Sequence, residues 1–316
     1  MDKRVNNLII CLTPLQMVIA QKIINLNPGS NYDIICFSYN KNDKYTFYYN
    51  KISLKCVNSF RFNIYSTKKI MRIFDLMRLK YFLVNKISKN YQRIYLASID
   101  NPFIHLVLSW MDKSEIYTYD DGSANINLNS IYFKPPVHSS FQQRMMGFLG
   151  NKYDLSRVKN ESVLHYTIYK NFKNIIDKTF FLPLFENNFS GNGTKKIKIF
   201  LGQPLHEFDG KFEKKIINFL KVSKVKNYYP HPRENIVFDG FDYIESPLIF
   251  EDFILKLISD NYFIELYALT STAILNILGF SSVKVYCLYD DSSFKKNRLI
   301  YDIFKNNNVE LINIEK

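Results

Sequence analysis

Side chains able to do chemistry gather in five short segments, each following or opening an apolar run. In Tyr119-Asp120-Asp121-Gly122-Ser123 two adjacent carboxylates point different ways, so one of them faces a ligand. Like charges in proximity raise one pKa, which suits a general base. The same D-D-G also reads as a plain turn. A second acidic loop is Gly202-Gln203-Pro204-Leu205-His206-Glu207-Phe208-Asp209-Gly210, where the leading glycine lets backbone approach a ligand closely. His206, Glu207 and Asp209 are its titratable groups, and a solvated surface loop is the structural alternative.

The segment Tyr229-Pro230-His231-Pro232-Arg233-Glu234 holds a histidine between two prolines, which restrict the backbone on either side. An imidazolium held in this way can hydrogen-bond and neutralise a leaving phosphate, and Arg233 adds fixed charge. Leu269-Thr270-Ser271-Thr272-Ala273 joins a strand to an expected helix, so hydroxyls and backbone N–H groups converge at a helix N-terminus. That is an anion site by geometry and dipole, although Ser and Thr are also common helix caps. Thr13-Pro14-Leu15-Gln16 places proline at a helix start with Thr13 and Gln16 beside it, either as a well-formed N-terminus or as the acceptor side of a cleft. Taken together, a histidine and a hydroxyl-rich loop in one domain and a carboxylate motif in the other suit a phosphate-linked sugar donor.

The elements that must position these loops alternate in the manner of βαβ units with parallel sheets. Strands are expected at Asn7–Thr13, Tyr32–Tyr39, Arg61–Ser66, Arg93–Ser98 and Glu115–Tyr119, with helices at Leu15–Asn25, Asp43–Lys55, Thr67–Ser88 and Pro102–Met111. Residues 137–178 read as helical. A polar stretch at 186–194 reads as a linker between a first domain, 1–185, and a second, 195–316. The second half repeats the alternation: strands Lys196–Leu201, Tyr228–Pro230, Tyr243–Ser246, Phe263–Leu269 and Val283–Leu288, and helices Lys211–Val222, Phe250–Ser259, Ser271–Leu278 and Phe294–Asn306. The fold expected is α/β, two Rossmann-like domains facing a central cleft, with ligands at the carboxyl ends of the strands. No G-x-G-x-x-G follows the first strand, which disfavours NAD and FAD.

Composition narrows the function classes. A formal net charge of +13 favours an acidic partner: a nucleic acid, an anionic membrane or a charged small substrate. Cys11, Cys36, Cys56 and Cys287 are far apart, and neither C-x-x-C nor zinc-type spacing occurs. Free thiols in a reducing, cytoplasmic compartment and no metal or cofactor are therefore expected. No run of about 18 uninterrupted apolar residues occurs, and Pro14 and Gln16 make the N-terminal run a strand, loop and helix rather than a signal peptide. Between Lys68 and Arg93 eight basic residues accompany one acid, Asp75. Ile70, Ile73, Phe74, Met77, Tyr81 and Val84 follow helical spacing there, which predicts an amphipathic helix with an apolar inner face and a basic outer face. Such a face would dock on an anionic inner-membrane surface, or would belong to a non-enzymatic binder of nucleic acid or of an anionic surface.

The segments NNLIICLTPLQMVIAQKII, YDDGS, FLGQP, YPHPRE and LTSTA, in that order, resemble the glycosyltransferase family 52 sialyltransferases of host-associated bacteria. The resemblance implies a GT-B fold, CMP-sialic acid as donor, a terminal galactose of a lipooligosaccharide or related glycan as acceptor, and inverting transfer without a metal. It places the H-P histidine on His231, the acidic motif on Asp120 and Asp121, and the hydroxyl motif on Ser271 and Thr272. Asp209 is a second candidate base, and Gly202, Gln203, Pro232 and Arg233 complete the expected binding set. Partners expected are this donor and acceptor, the inner-membrane surface and a second copy in a homodimer, with no nucleic acid. Another nucleotide-sugar glycosyltransferase of the same fold is the alternative.

Overall fold

The computed structural model describes residues 6–39, 42–66, 71–135, 140–185, 193–205, 208, 210–234 and 236–315. The chain divides into two compact units, Met1–Leu184 and Phe185–Lys316. The stretch expected as a linker lies, apart from Gly193 and Thr194, outside the described residues.

In the first unit a parallel seven-stranded sheet forms among the described residues, from β1 (Asn6–Cys11), β2 (Asn31–Ser38), β3 (Asn58–Asn63), β4 (Asn90–Leu96), β5 (Asp112–Tyr119), β6 (Ser162–Thr167) and β7 (Thr179–Phe181). Its order is β3-β2-β1-β4-β5-β6-β7. The order reverses between β1 and β4, and such a switch point opens a crevice at the strands' carboxyl ends. β1 is apolar and buried from Leu8 to Cys11, as a central strand covered on both faces must be. Helix α1 (Pro14–Leu26) starts where Pro14 needs no hydrogen bond and Thr13 Oγ1 accepts from Gln16 N at 3.3 Å. Asn42 caps α2 (Asp43–Ser53) and Asn101 caps α4 (Pro102–Trp110) in the same way.

Two expectations change here. In helix α3 (Arg72–Lys86) the buried residues are Asp75, Leu76, Leu79 and Leu83, whereas Phe74, Met77, Tyr81 and Val84 are exposed. The apolar spacing in the sequence therefore marked the outward face. The leucines have their own helical spacing, and Asp75 pins that side inward by accepting from the backbone N–H groups of Tyr65 at 3.0 Å and Ser66 at 2.9 Å. Ile70 lies outside the described residues. Within 137–178, helices α5 (Ser140–Phe148) and α6 (Leu155–Glu161) are followed by strand β6, so VLHYT is extended rather than helical. Its pairing with β5 and the contact of Tyr166 with Tyr117, ring centroids 6.3 Å apart, override the local pattern.

The second unit holds β8 (Lys195–Leu201), α7 (Gly210–Val222), β9 (Asn227–Tyr229), β10 (Asp242–Tyr243), α8 (Phe250–Ser259), β11 (Tyr262–Ala268), β12 (Val283–Tyr289), α9 (Asp291–Lys296), α10 (Arg298–Asn306) and β13 (Glu310–Asn313). Its parallel sheet runs β10-β9-β8-β11-β12-β13, with the switch point between β8 and β11. The single C-terminal helix expected is two, broken at Asn297 and preceded by a capping box in which Asp290 accepts from Ser293 N at 2.8 Å. The helix expected at Ser271–Leu278 is a five-residue 3-10 turn, Thr272–Asn276, and Ser271 forms no side-chain cap. So short a turn has no macrodipole to offer, which removes the dipole from the expected anion site.

Candidate active site

In the first unit the loops after β1, β4 and β5 meet at the switch point through one carboxylate. Asp121 accepts from Gln16 Nε2 on one oxygen. On the other it accepts from Ser98 Oγ and Tyr132 OH, each at 2.8 Å. Gln16 is fully buried: its Oε1 accepts from Leu12 N at 2.5 Å and its Nε2 also donates to Ser98 Oγ at 2.9 Å. Ser98 sits at φ +48°, a left-handed conformation that a serine adopts at a cost, here held by both side-chain contacts. Asn125 Oδ1 fixes the turn by accepting from Asp121 N at 2.8 Å. Burial raises the pKa of Asp121; hydrogen bonds from Ser98, Tyr132 and Gln16 oppose that rise, and the charge of Asp100 adds to it. The side chain nevertheless remains part-exposed.

Asp120 faces the other way. It is fully buried and accepts from Thr167 Oγ1 at 2.8 Å, Ile168 N at 2.7 Å, Asn174 Nδ2 at 3.1 Å and His165 Nε2 at 2.9 Å. His165 Nδ1 contacts Thr118 Oγ1 at 2.8 Å. With both oxygens engaged and no solvent access, Asp120 is out of reach of a substrate hydroxyl, which corrects its place among the candidate bases. It ties β5 to β6 and so fixes where Asp121 points. Thr13 is a helix cap beside this cluster.

In the second unit Gly202 closes β8 where a side chain cannot fit: a Cβ would lie 2.5 Å from Glu234 Oε2 and 2.6 Å from Tyr228 Cε1. Gln203 then bridges the switch point, accepting from Thr270 N at 2.8 Å and donating to Thr270 Oγ1 at 3.3 Å. This brings the loop after β8 to the loop carrying Ser271 and Thr272, both part-exposed.

After β9, Glu234 closes the His231 turn. Its Oε2 accepts from His231 N at 2.6 Å, its Oε1 accepts from Tyr228 OH at 2.5 Å, and its own N–H donates to His231 O at 2.9 Å. Arg233 N donates to His231 Nδ1 at 3.1 Å, so Nδ1 is an acceptor and the ring proton sits on Nε2. Pro232 and Arg233 are exposed at the rim of this turn. Asp209, His206 and Glu207 lie outside the described residues. Sequence reasoning missed Ser98, Tyr132, His165 and the clamp role of Glu234, because each acts through a contact distant in sequence or through a turn closed only on folding. Among the described residues no group of three or more His, Cys, Asp or Glu side chains could hold a metal ion.

Similarity to known proteins bears on the family and the fold. Residues 30–291 match glycosyltransferase family 52. An N-acetyllactosaminide alpha-2,3-sialyltransferase of Haemophilus influenzae is 31% identical over 306 residues, covering 94% of this chain and 96% of that protein. A CMP-N-acetylneuraminate:beta-galactoside alpha-2,3-sialyltransferase of Pasteurella multocida is 32% identical over 313 residues, covering 98% of this chain and 100% of that protein. The solved glycotransferase of kitacinnamycin superposes with a TM-score of 0.52 at 7% identity, over 99% of this chain and 87% of that one. That likeness speaks for the fold alone, which is of the two-domain GT-B type. By both the family match and the full-length relatives, the chain belongs to glycosyltransferase family 52.

Proposed function

We propose that the protein is an inverting sialyltransferase that moves sialic acid from CMP-sialic acid to a terminal galactose of a lipooligosaccharide or related surface glycan. The observation that carries the reading is the similarity, over nearly the whole chain, to relatives named for alpha-2,3-sialyl transfer to galactosides. The second unit is the nucleotide-sugar side and the first the acceptor side. Cytoplasmic chemistry fits the four free cysteines, which a reducing compartment keeps as thiols.

In the proposed reaction an acceptor hydroxyl oxygen attacks the anomeric carbon of the sialyl group as the bond from that carbon to the CMP phosphate oxygen breaks. Asp209 takes the hydroxyl proton, and the leaving bond's electron pair goes to the phosphate. His231 meets that phosphate with its Nε2–H, held in direction by the Arg233 and Glu234 contacts on the rest of the turn. Arg233 adds positive charge, and the Ser271 and Thr272 hydroxyls bind the CMP moiety beside Gln203. On the acceptor side Asp121, with Gln16 behind it, accepts a hydrogen bond from a sugar hydroxyl. No divalent ion is assigned a role, so activity is expected to persist in EDTA.

Thermal unfolding with nucleotides tests the donor half of this reading. CMP in large excess over its Kd should raise Tm, since a ligand at about 100 Kd adds about 2.7 kcal/mol. Stabilisation by UDP or GDP with none by CMP would point to a different nucleotide sugar.

A further inference from the structure

We propose that Tyr39 is the platform on which the second sugar of the acceptor stacks, so that the first unit recognises a galactosyl disaccharide rather than galactose alone. The inference rests on the sialyl transfer proposed above and adds a specificity residue to its acceptor side. Tyr39 directly follows β2, at the carboxyl end of the sheet where the crevice opens. It is 44% exposed, whereas Tyr32, Tyr95, Tyr119 and Tyr166 on the strands of this sheet are buried. The exposed ring is nevertheless fixed. It meets the buried Phe103 ring edge to face, with centroids 6.5 Å apart and planes at 82°. Its hydroxyl accepts from Asn101 Nδ2 at 2.8 Å, and Asn101 is itself held because its Oδ1 accepts from Phe103 N at 2.9 Å as the cap of α4. An aromatic ring that faces solvent in one fixed orientation offers apolar area to a ligand at small entropic cost.

The surroundings of the ring select a sugar. Asp100 is part-exposed and close enough to act electrostatically on both Tyr39 and Asp121. The Tyr132 hydroxyl that donates to Asp121 has Asp100 as its other carboxylate neighbour. Arg72, exposed at the start of α3, is the cation beside Tyr39. A pyranose has faces of C–H groups and a rim of hydroxyls, so the Tyr39 ring takes a face while Asp100 and Arg72 take the rim. A wholly apolar partner would desolvate both charges without pairing them. A nucleotide base would also stack, but its phosphate would then approach the carboxylates of Asp100 and Asp121. In the order β2-β1-β4-β5 the strands carrying Tyr39 and Asp121 end three places apart, about 14 Å, and Tyr39 leans across β1 to Asn101. A galactose held at Asp121 therefore leaves the Tyr39 ring to the sugar linked to it.

Binding measured without transfer separates this inference from the reaction itself. With CMP present, the full chain should bind lactose roughly tenfold more tightly than methyl β-galactoside in titrations. Tyr39→Ala should erase that preference by weakening lactose, while its affinity for methyl β-galactoside stays within about twofold of the parent's. This variant should keep the parent's rise in Tm with CMP, and Tyr39→Phe, which retains the ring, should keep the preference for lactose. In the transfer assay Tyr39→Ala should raise KM for lactose with kcat little changed. Equal affinities for the two sugars in the parent, or a preference that survives Tyr39→Ala, would overturn the proposal. So would loss of the CMP effect in Tyr39→Ala, because the ring would then serve the nucleotide. A parent that prefers lactose through Tyr39 yet transfers no sialic acid to it would count against the proposed reaction and for the platform.

Discussion

The proposed role of His231 rests on what surrounds it. Glu234 holds its backbone from both sides, and the Arg233 N–H on Nδ1 leaves the ring proton at Nε2. Substituting His231→Ala should lower kcat roughly 100-fold or more with a smaller effect on donor affinity, the pattern of a lost transition-state charge stabiliser. Glu234→Ala should cost both stability and turnover, since it leaves the His231 N–H and the Tyr228 hydroxyl without their acceptor. The three aspartates separate by behaviour. Asp209→Asn should abolish most turnover and keep CMP-induced stabilisation, while Asp120→Asn should chiefly lower Tm, because it weakens a fully buried acceptor of four hydrogen bonds. Asp121 adds a pH signature. Its folded pKa is raised, so the native state holds this proton more tightly than the unfolded chain does. Its contribution to stability is present below the unfolded carboxylate value and fades as pH rises through the folded one. The Tm of the parent relative to Asp121→Asn should therefore rise as pH falls from neutral, and parallel profiles would contradict the raised value.

At the scale of elements, most of the βαβ alternation was legible because central strands such as Leu8–Cys11 are unbroken apolar runs and the helices carry proline or asparagine at their starts. What failed has physical causes. In α3 two faces both show helical spacing, and only Asp75, caught by the backbone of Tyr65 and Ser66, decides which turns inward. Leu79→Ala should therefore cost about 2–5 kcal/mol in urea unfolding, while Phe74→Ser should stay within about 0.5 kcal/mol. Equal costs would restore the opposite orientation. Burial pushes the Asp75 carboxyl up, but the hydrogen bonds from Ser66, Arg78 and Tyr65 outweigh it and hold its pKa below the ordinary value. Asp75 thus contributes stability above the unfolded carboxylate pKa that is lost as pH falls through the folded one, the reverse of Asp121. Asp75→Asn should lose Tm at neutral pH and less of it in acid. β6 was missed because its partner strand and its tyrosine contacts lie far away in sequence, which local periodicity does not register.

For the whole molecule, each unit places a glutamine at its switch point: Gln16 joins the loops after β1, β4 and β5, and Gln203 joins those after β8 and β11. The sequence pointed to both glutamines and to His231 through their position after strands. It could not show which of Asp120 and Asp121 becomes the buried tie and which the part-exposed acceptor, because that depends on His165, Thr167 and Tyr132 from later in the chain. The net charge of +13 suits a donor bearing both a carboxylate and a phosphate. The central claim, sialyl transfer from that donor, is tested most directly by release of CMP from CMP-sialic acid in EDTA, with and without a galactose-terminated acceptor. The account predicts slow release alone, fast release with the acceptor, and an equal amount of sialylated product. CMP release that never responds to a galactoside, or that requires added magnesium or manganese, would contradict it.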